Sequence, residues 1–429
     1  MKISSVFAQE ILDSRGNPTI EAVTVLEDGS TGWAAIPSGA STGKHEAVEL
    51  RDKDKKRYHG QGVLKAINNV NTTLTKAVKG IDASNQKKLD KTMIELDGTK
   101  NKEKLGANAI LSVSLSAARA QAFSEKKELY EYLTKFNPDF KGTYIMPIPE
   151  MNVMNGGKHA NWATDIQEYM LFPIGATSIV EAIRMNAEVY HVLKGIIKAK
   201  GYATTIGDEG GFAPNVSSNE EPFQLLSEAI QKTGYTLGKD IAFGIDPAAS
   251  EFYENGKYRL NKEGTIVTSD GLSNFFGKLA IKYPIISMED IFAEDDWAAF
   301  KKVTKKISKK MQIVGDDIYV TNVKRIKRGI KEHTTNSVLI KLNQIGTLTE
   351  TIEAVLLARK HGWTCVVSHR SGETEDPFIA DFTVAMGIGQ LKTGAPARGE
   401  RVAKYNRLMR IERQLDKKAQ YATFPFKTA

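Results

Sequence analysis

The 429-residue chain reads as an α/β protein, a (β/α)8 TIM-type barrel behind a smaller α+β domain. Three observations lead there. From about residue 141 onward, short apolar runs alternate with longer amphipathic segments. Each run stops at a polar or ionisable residue. The first 140 residues follow a different rhythm, with a hairpin and long helical patterns. A succession of strand–helix units buries its strands as a parallel sheet, and around 250 residues is the usual size of such a barrel. A doubly wound open sheet is the alternative. The number of units and the steady placement of charges at strand ends favour the barrel.

In chain order, residues 18–27 alternate as a strand, Asp28-Gly29 marks a hairpin turn, and residues 31–36 return. Leu64, Ile67, Leu74 and Val78 are expected on one helical face, as are Leu89, Met93 and Leu96; residues 107–125 continue as a long helix. Proline density rises from Asn137-Pro138 to Pro149, which places the boundary near residue 140, between domains 1–140 and 141–429. In the second part, IAFGID ends on Asp246, PIISMED on Glu289 and MQIVGDD on Asp316. NSVLIKLNQIG then ends on Lys341, WTCVVSHRSGE on His369 and Arg370, and GQLKTGAPARGER on Lys392. In a barrel these strand ends share one rim, so residues distant in sequence meet.

Composition narrows the function. With 41% hydrophobic and 26% charged residues, and only 35 Gly and 13 Pro, the chain has material for a core and is not disordered. No apolar run approaches the ~18–20 residues that span a bilayer. Glu10, Asp13 and Arg15 interrupt the start before a signal-peptide core could form, so a cytoplasmic protein is expected. The single cysteine, Cys365, lies in the apolar run WTCVV and reads as a buried small hydrophobe. The net charge of +8 suits an anionic substrate or nucleic acid without choosing between them. The run KKVTKKISKK (301–310), with Phe300, Val303 and Ile307 opposite its lysines, reads as a solvated amphipathic helix.

Several motifs carry chemistry. IPSGASTGKHE (36–46) fails the phosphate-loop spacing, since three residues separate Gly39 from Gly43 and His45 follows Lys44; it reads instead as a Gly/Ser lid or a surface turn. Asp246, Glu289 and Asp316 together on one rim would repel unless a cation lay between them, and an oxygen-only set indicates Mg²⁺. Lys341, inside an apolar strand pattern, is either an ion-paired structural lysine or a base. His369, Arg370 and Ser371 gather donors for a phosphate or carboxylate, or else pair with Glu373 or Glu375. GDEGG sets Glu209 among glycines, and NGGKHA sets His159 on a similar loop.

Taken in order, DSRGNPT, PSGASTG, LDGT, KLGANAILSVSL, NGGKHA, DIQEYM, GDEGGFAPN, AASEFY, SMED, VGDD, IKLNQIGTLTE, SHRSGETED and KTGAPARGERVAKYNRLMRIE resemble the enolase family across almost the whole chain. The resemblance implies a barrel of the ββαα(βα)6 type. It also implies a hydro-lyase that dehydrates 2-phosphoglycerate reversibly to phosphoenolpyruvate, in glycolysis and gluconeogenesis, with two Mg²⁺ per active site. By the same resemblance Lys341 is the general base and Glu209 the general acid, assisted by Glu168. Asp246, Glu289 and Asp316 would hold the first Mg²⁺, and Ser41 in the lid the second, which arrives with substrate. Arg370 and Ser371 would contact the phosphate. His159, His369 and Lys392 would line the pocket, with Lys392 on the carboxylate, and Glu289 and Asp316 also lie beside the substrate. Glu209 is expected to be kept protonated by repulsion from Glu168. The family also implies a homodimer or an octamer of dimers. Secondary surface or secreted pools with plasminogen or RNA-processing partners follow by analogy alone. A different superfamily reaction on a non-phosphorylated acid, or a purely binding role, are the competing readings. Trp162 stands in a loop where the family more often carries small or polar residues.

Overall fold

The computed structural model describes residues 1–39 and 43–426; Ser41 lies outside the described residues. The chain opens with an antiparallel sheet in the order β1 (Ile3–Leu12), β2 (Pro18–Leu26), β3 (Thr31–Ala35). The β2–β3 turn uses Gly29 at φ +83°, a region glycine enters without steric penalty. Ile20, Ala22, Thr24 and Leu26 alternate inward along β2, all essentially inaccessible. They pack under α2 (Ala107–Ser124), which follows α1 (Gln86–Asp97) and is buried on almost every side. Its Ala/Ser composition permits very close approach: a Cβ at Gly32 would lie 2.1 Å from the Ala120 nitrogen.

The segment 64–78 departs from the simple helical face. A π-helical stretch, Asn69–Leu74, sits between two short α turns, and the buried residues are Val63, Ala66, Val70, Leu74 and Val78. Leu64, expected on that face, is 46% exposed. Val63 and Ala66 take the inward positions, and the wider turn keeps every fourth residue aligned from Val70 onward.

Eight strands close the barrel: β4 (Ile148–Asn155), β5 (Glu168–Phe172), β6 (Ala242–Asp246), β7 (Ile285–Glu289), β8 (Gln312–Gly315), β9 (Ser337–Ile340), β10 (Thr364–Ser368) and β11 (Gln390–Lys392). Their order round the barrel is β7-β8-β9-β10-β11-β4-β5-β6. The outer helices are α3 (Ile179–Ala199), α4 (Glu221–Lys232), α5 (Ser269–Lys282), α6 (Trp297–Ile307), α7 (Val323–Glu332), α8 (Leu348–Lys360), α9 (Phe378–Ala385) and α10 (Gly399–Leu415). Strands β6 to β11, and the β11–β4 closure, pair in parallel, whereas β5 is antiparallel to both β4 and β6. With α3 and α4 between β5 and β6, this is a ββαα(βα)6 barrel.

The reversal of β5 matters for the site. Its first residue, Glu168, pairs with Asn155 and Asp246, so it joins the rim where the other strands end. Deeper in the barrel a polar layer crosses the axis. Gln312 bonds Ser287, Ser337, Thr364 and Gln390, and Gln390 donates to Glu150 at 2.6 Å. Cys365 on β10 is buried, as its apolar run indicated. Among the described residues no helix is long and apolar enough to cross a membrane.

Candidate active site

The rim strands deliver their terminal side chains into one narrow cleft. Its lining includes His159, Glu168, Glu209, Asp246, Asp316, Lys341, His369, Arg370, Ser371 and Lys392. Asp246 ends β6, and the following Pro247 stops further ladder pairing there. Glu289 ends β7 and Lys392 ends β11, while Asp316, Lys341 and His369 each follow directly on β8, β9 and β10.

Lys392 is the electrostatic centre. Its Nζ lies 2.8 and 2.9 Å from the two Glu289 oxygens, 3.1 Å from Glu168 and 3.3 Å from Asp246. Burial would strip its proton, but Glu168, Glu289 and Asp246 outweigh that and hold its pKa well above the usual lysine value. Burial, then the neighbouring Asp246, raises Glu289 well above the carboxylate range. Lys341 Nζ meets Asp316 Oδ2 at 2.5 Å. Burial works to lower the Lys341 pKa, yet Asp316 reverses this and raises it. Lys341 is therefore an ion-paired ammonium in this structure.

A second acidic group, Asp290, Asp316 and Asp317, places carboxyl oxygens within 4.8 Å of one another. Asp290 accepts the backbone N–H groups of Asp316 (2.9 Å) and Asp317 (2.8 Å), which fixes the turn after β8. Of the three carboxylates read as metal ligands, Asp246 and Glu289 thus face Lys392, while Asp316 faces Lys341. They remain close enough for Asp246 and Asp316 both to raise the Glu289 pKa. The donor set fits a hard dication. It is all oxygen, it is buried, and its carboxyls outnumber the two lysines that neutralise them.

On the other side, His159, Glu168 and Glu209 offer atoms within 4.8 Å of one another. Glu209 Oε2 accepts from Asn152 at 3.0 Å and lies 3.4 Å from His369 Nε2. His159 Nδ1 is 3.7 Å from Glu209 Oε1. The proton of this pair is not where the sequence put it. Burial and then the nearby Glu209 raise Glu168 well above normal. Burial would raise Glu209 too, but His369 and His159 bring it well below. Glu168 is thus driven toward its protonated form and Glu209 toward its ionised form, since His369 lies against Glu209 while Glu168 has Glu209 and Asp246 as neighbours. His369 itself is pushed down to about 4 by burial, so near neutrality it supports Glu209 as a neutral N–H donor.

Arg401, fully buried, organises this wall. It donates to Arg370 O and Ser371 O at 2.5 Å and to Asp208 O at 3.1 Å, with His369 Nδ1 at 2.5 Å. An arginine has no acceptor, so His369 Nδ1 accepts and Nε2 carries the hydrogen facing Glu209. The Glu209 loop turns through Gly210 at φ +85°, where a Cβ would meet Ala397 O at 2.9 Å. Arg370 meets Glu373 through its backbone N–H, which donates to Glu373 Oε1 at 3.2 Å. Its guanidinium reaches Glu46 of the lid segment at 3.0 and 3.1 Å and Asn343 at 2.9 Å, while Glu373 is held by Lys404 at 2.7 Å. Sequence reasoning misses Glu46, Asn152, Asp290, Asp317 and Arg401. Four of them lie inside the motifs GKHE, SMED, VGDD and ARGER, one residue or a few from the positions that stand out there.

Family comparisons complete the assignment. "Enolase, N-terminal domain" matches residues 3–133 and "Enolase, C-terminal TIM barrel domain" matches residues 143–429. The chain belongs to the enolase family. In this enolase-family chain Trp162 is 38% exposed with φ +59°, and its backbone N–H closes the loop onto Gly157 O at 2.8 Å. The unusual side chain therefore points away from the core and the loop closes without it.

Proposed function

We propose that the chain catalyses the Mg²⁺-dependent, reversible dehydration of 2-phosphoglycerate to phosphoenolpyruvate. The observation that carries this reading is the convergence on one buried cleft of Lys341, the Glu168–Glu209 pair, Lys392 among its carboxylates, and Arg370. Lys341, after giving up its ammonium proton to solvent, removes the C2 proton on one face as a neutral amine. The 3-hydroxyl leaves from the other with a proton delivered by Glu209, which would first receive it from Glu168, the carboxyl that burial and the Glu209 charge favour as protonated. Mg²⁺ held by Asp246, Glu289 and Asp316, and a second ion with Ser41, would supply positive charge against the substrate carboxylate and weaken the hold of Asp316 on the Lys341 proton. Lys392 adds a fixed ammonium beside that carboxylate, and Arg370 and Ser371 orient the phosphate. A lysine base working beside one or two Mg²⁺ is a known general pattern of enolase-superfamily sites, and these residues fit it.

We assign a capping domain with the lid loop to residues 1–140 and the chemistry to 141–429, in a cytoplasmic homodimer or octamer of dimers. The test is an ultraviolet assay of the enol product. Wild type with Mg²⁺ and 2-phosphoglycerate shows rising absorbance, and EDTA abolishes it. Lys341→Ala loses at least about a thousandfold in kcat. Full turnover by Lys341→Ala removes the assigned base; turnover of a non-phosphorylated acid but not of 2-phosphoglycerate removes the substrate.

A further inference from the structure

The positive charge of this protein is concentrated in one place. Residues 297–333 contain 11 of its 59 Lys and Arg and 3 of its 51 Asp and Glu, which leaves 48 of each everywhere else. The whole +8 therefore resides in two consecutive barrel helices, α6 and α7, and their connection. Two of the three acids, Asp316 and Asp317, line the catalytic cleft, so only Glu332 faces outward. All six lysines of KKVTKKISKK are exposed, as are Lys324, Lys327, Arg328 and Lys331 on α7.

The two helices form one continuous face. Thr304 of α6 donates to Thr334, just past α7, at 2.7 Å, and Arg328 of α7 lies 3.9 Å over the Trp297 ring that starts α6. Asp270 pairs with Lys302 at 2.6 Å and Glu332 with Arg328 at 2.7 Å. Among the described residues, the other exposed lysines of this face have no carboxylate partner. Like charges held this close are unfavourable unless an anion relieves them.

What the face lacks selects the partner. No large apolar side chain of 297–333 is exposed, so nothing is available to anchor in a bilayer or to stack on an unpaired base. A second copy would present the same charge and be repelled. On α6 the pairs Lys301–Lys302 and Lys305–Lys306 are four residues apart, roughly 6 Å along the axis and near twice the ~3.4 Å axial spacing of phosphates on one duplex strand, and Lys309–Lys310 follow in the turn just past its end. We propose that α6 and α7 form a docking face for the phosphate backbone of double-stranded nucleic acid, recognised by charge and not by base sequence.

The test is fluorescence anisotropy of a short labelled DNA duplex with the full chain over a NaCl series. Duplexes of unrelated sequence bind alike, and log K falls with log [NaCl] at a slope of about −0.9 per phosphate engaged, near −4 for four contacts. Combined Lys305→Gln, Lys306→Gln, Lys309→Gln and Lys310→Gln weakens binding at least tenfold and flattens the slope, with melting and dehydration activity unchanged. A control with Lys87, Lys88, Lys104 and Lys200 all changed to Gln has the same net charge and binds like wild type. Equal loss in the control overturns the proposal. So does tighter binding to single strands or to phosphatidylserine vesicles than to the duplex.

Discussion

Glu150 gives the sharpest quantitative expectation. It lies on β4, 2% exposed, in register with Lys392 across the β11–β4 pair. Burial raises its pKa to about 8, against smaller opposing effects of the Gln390 hydrogen bond and Lys392. Between the ordinary glutamate value and about 8 the folded chain keeps this proton while the unfolded chain releases it. Stability must then fall as pH rises, by about 1 kcal/mol per pH unit and a few kcal/mol across the window. Glu150→Gln retains an oxygen for Gln390 to donate to but cannot titrate. At about pH 4, where Glu150 is largely neutral both folded and unfolded, the variant and wild type should melt at similar temperatures. By about pH 8 the variant should be the more stable, with a gap widening by about 1 °C per pH unit for a chain of this size. Scanning calorimetry of both proteins through this range measures it. Other titrating groups cancel in the difference. A gap that stays constant with pH would mean that Glu150 is ionised in the folded barrel and that the reasoning is wrong.

Two further perturbations act nearer the cleft. Lys392→Met removes the one ammonium shared by Glu168, Asp246 and Glu289; it should destabilise the chain by about 3–5 kcal/mol without Mg²⁺, with part of that recovered on adding the ion, as read by melting with and without MgCl₂. Gly210→Ala forces a side chain into a left-handed backbone against Ala397 O, and should lower stability by about 1–3 kcal/mol and kcat more strongly than KM, since the loop that carries Glu209 must shift; steady-state kinetics and thermal melts check both.

The barrel was legible because its strands are buried on both faces, so each reads as a short apolar run, and because the rim residues break those runs at regular intervals. Asp246, Glu289 and Lys392 could be picked out on that ground. Glu150 could not: between Pro149 and Met151 it looks like the polar edge of a strand, and only the closed barrel shows that it points into a dry interior. Where the proton of the Glu168–Glu209 pair is favoured was illegible for a related reason. Mutual repulsion is visible from sequence, but which carboxyl keeps the proton depends on His159 and His369, and His369 reaches Glu209 from 160 residues away. The exposed Leu64 shows the same limit locally, since a π turn shifts the face that a regular helix would bury.

The cleft is also not a property of the barrel alone. Glu46, contributed by the first part of the chain, accepts from the Gly43 backbone at 3.0 Å, from Arg370 at 3.0 and 3.1 Å and from Gln344 at 3.3 Å. The same Gln344 amide donates to Asp316 at 2.8 Å, and Asp316 holds Lys341. The Gln344 oxygen is already engaged by Thr321 at 2.9 Å, so the amide is fixed in orientation. A phosphate bound at Arg370, as proposed above, would compete with Glu46 for the same guanidinium. A shift of Glu46 would then reach the Asp316–Lys341 pair through Gln344, three hydrogen-bonded steps away. Residues 43–46 and the Asp316–Lys341 pair are therefore joined by one chain of hydrogen bonds that the barrel alone does not supply.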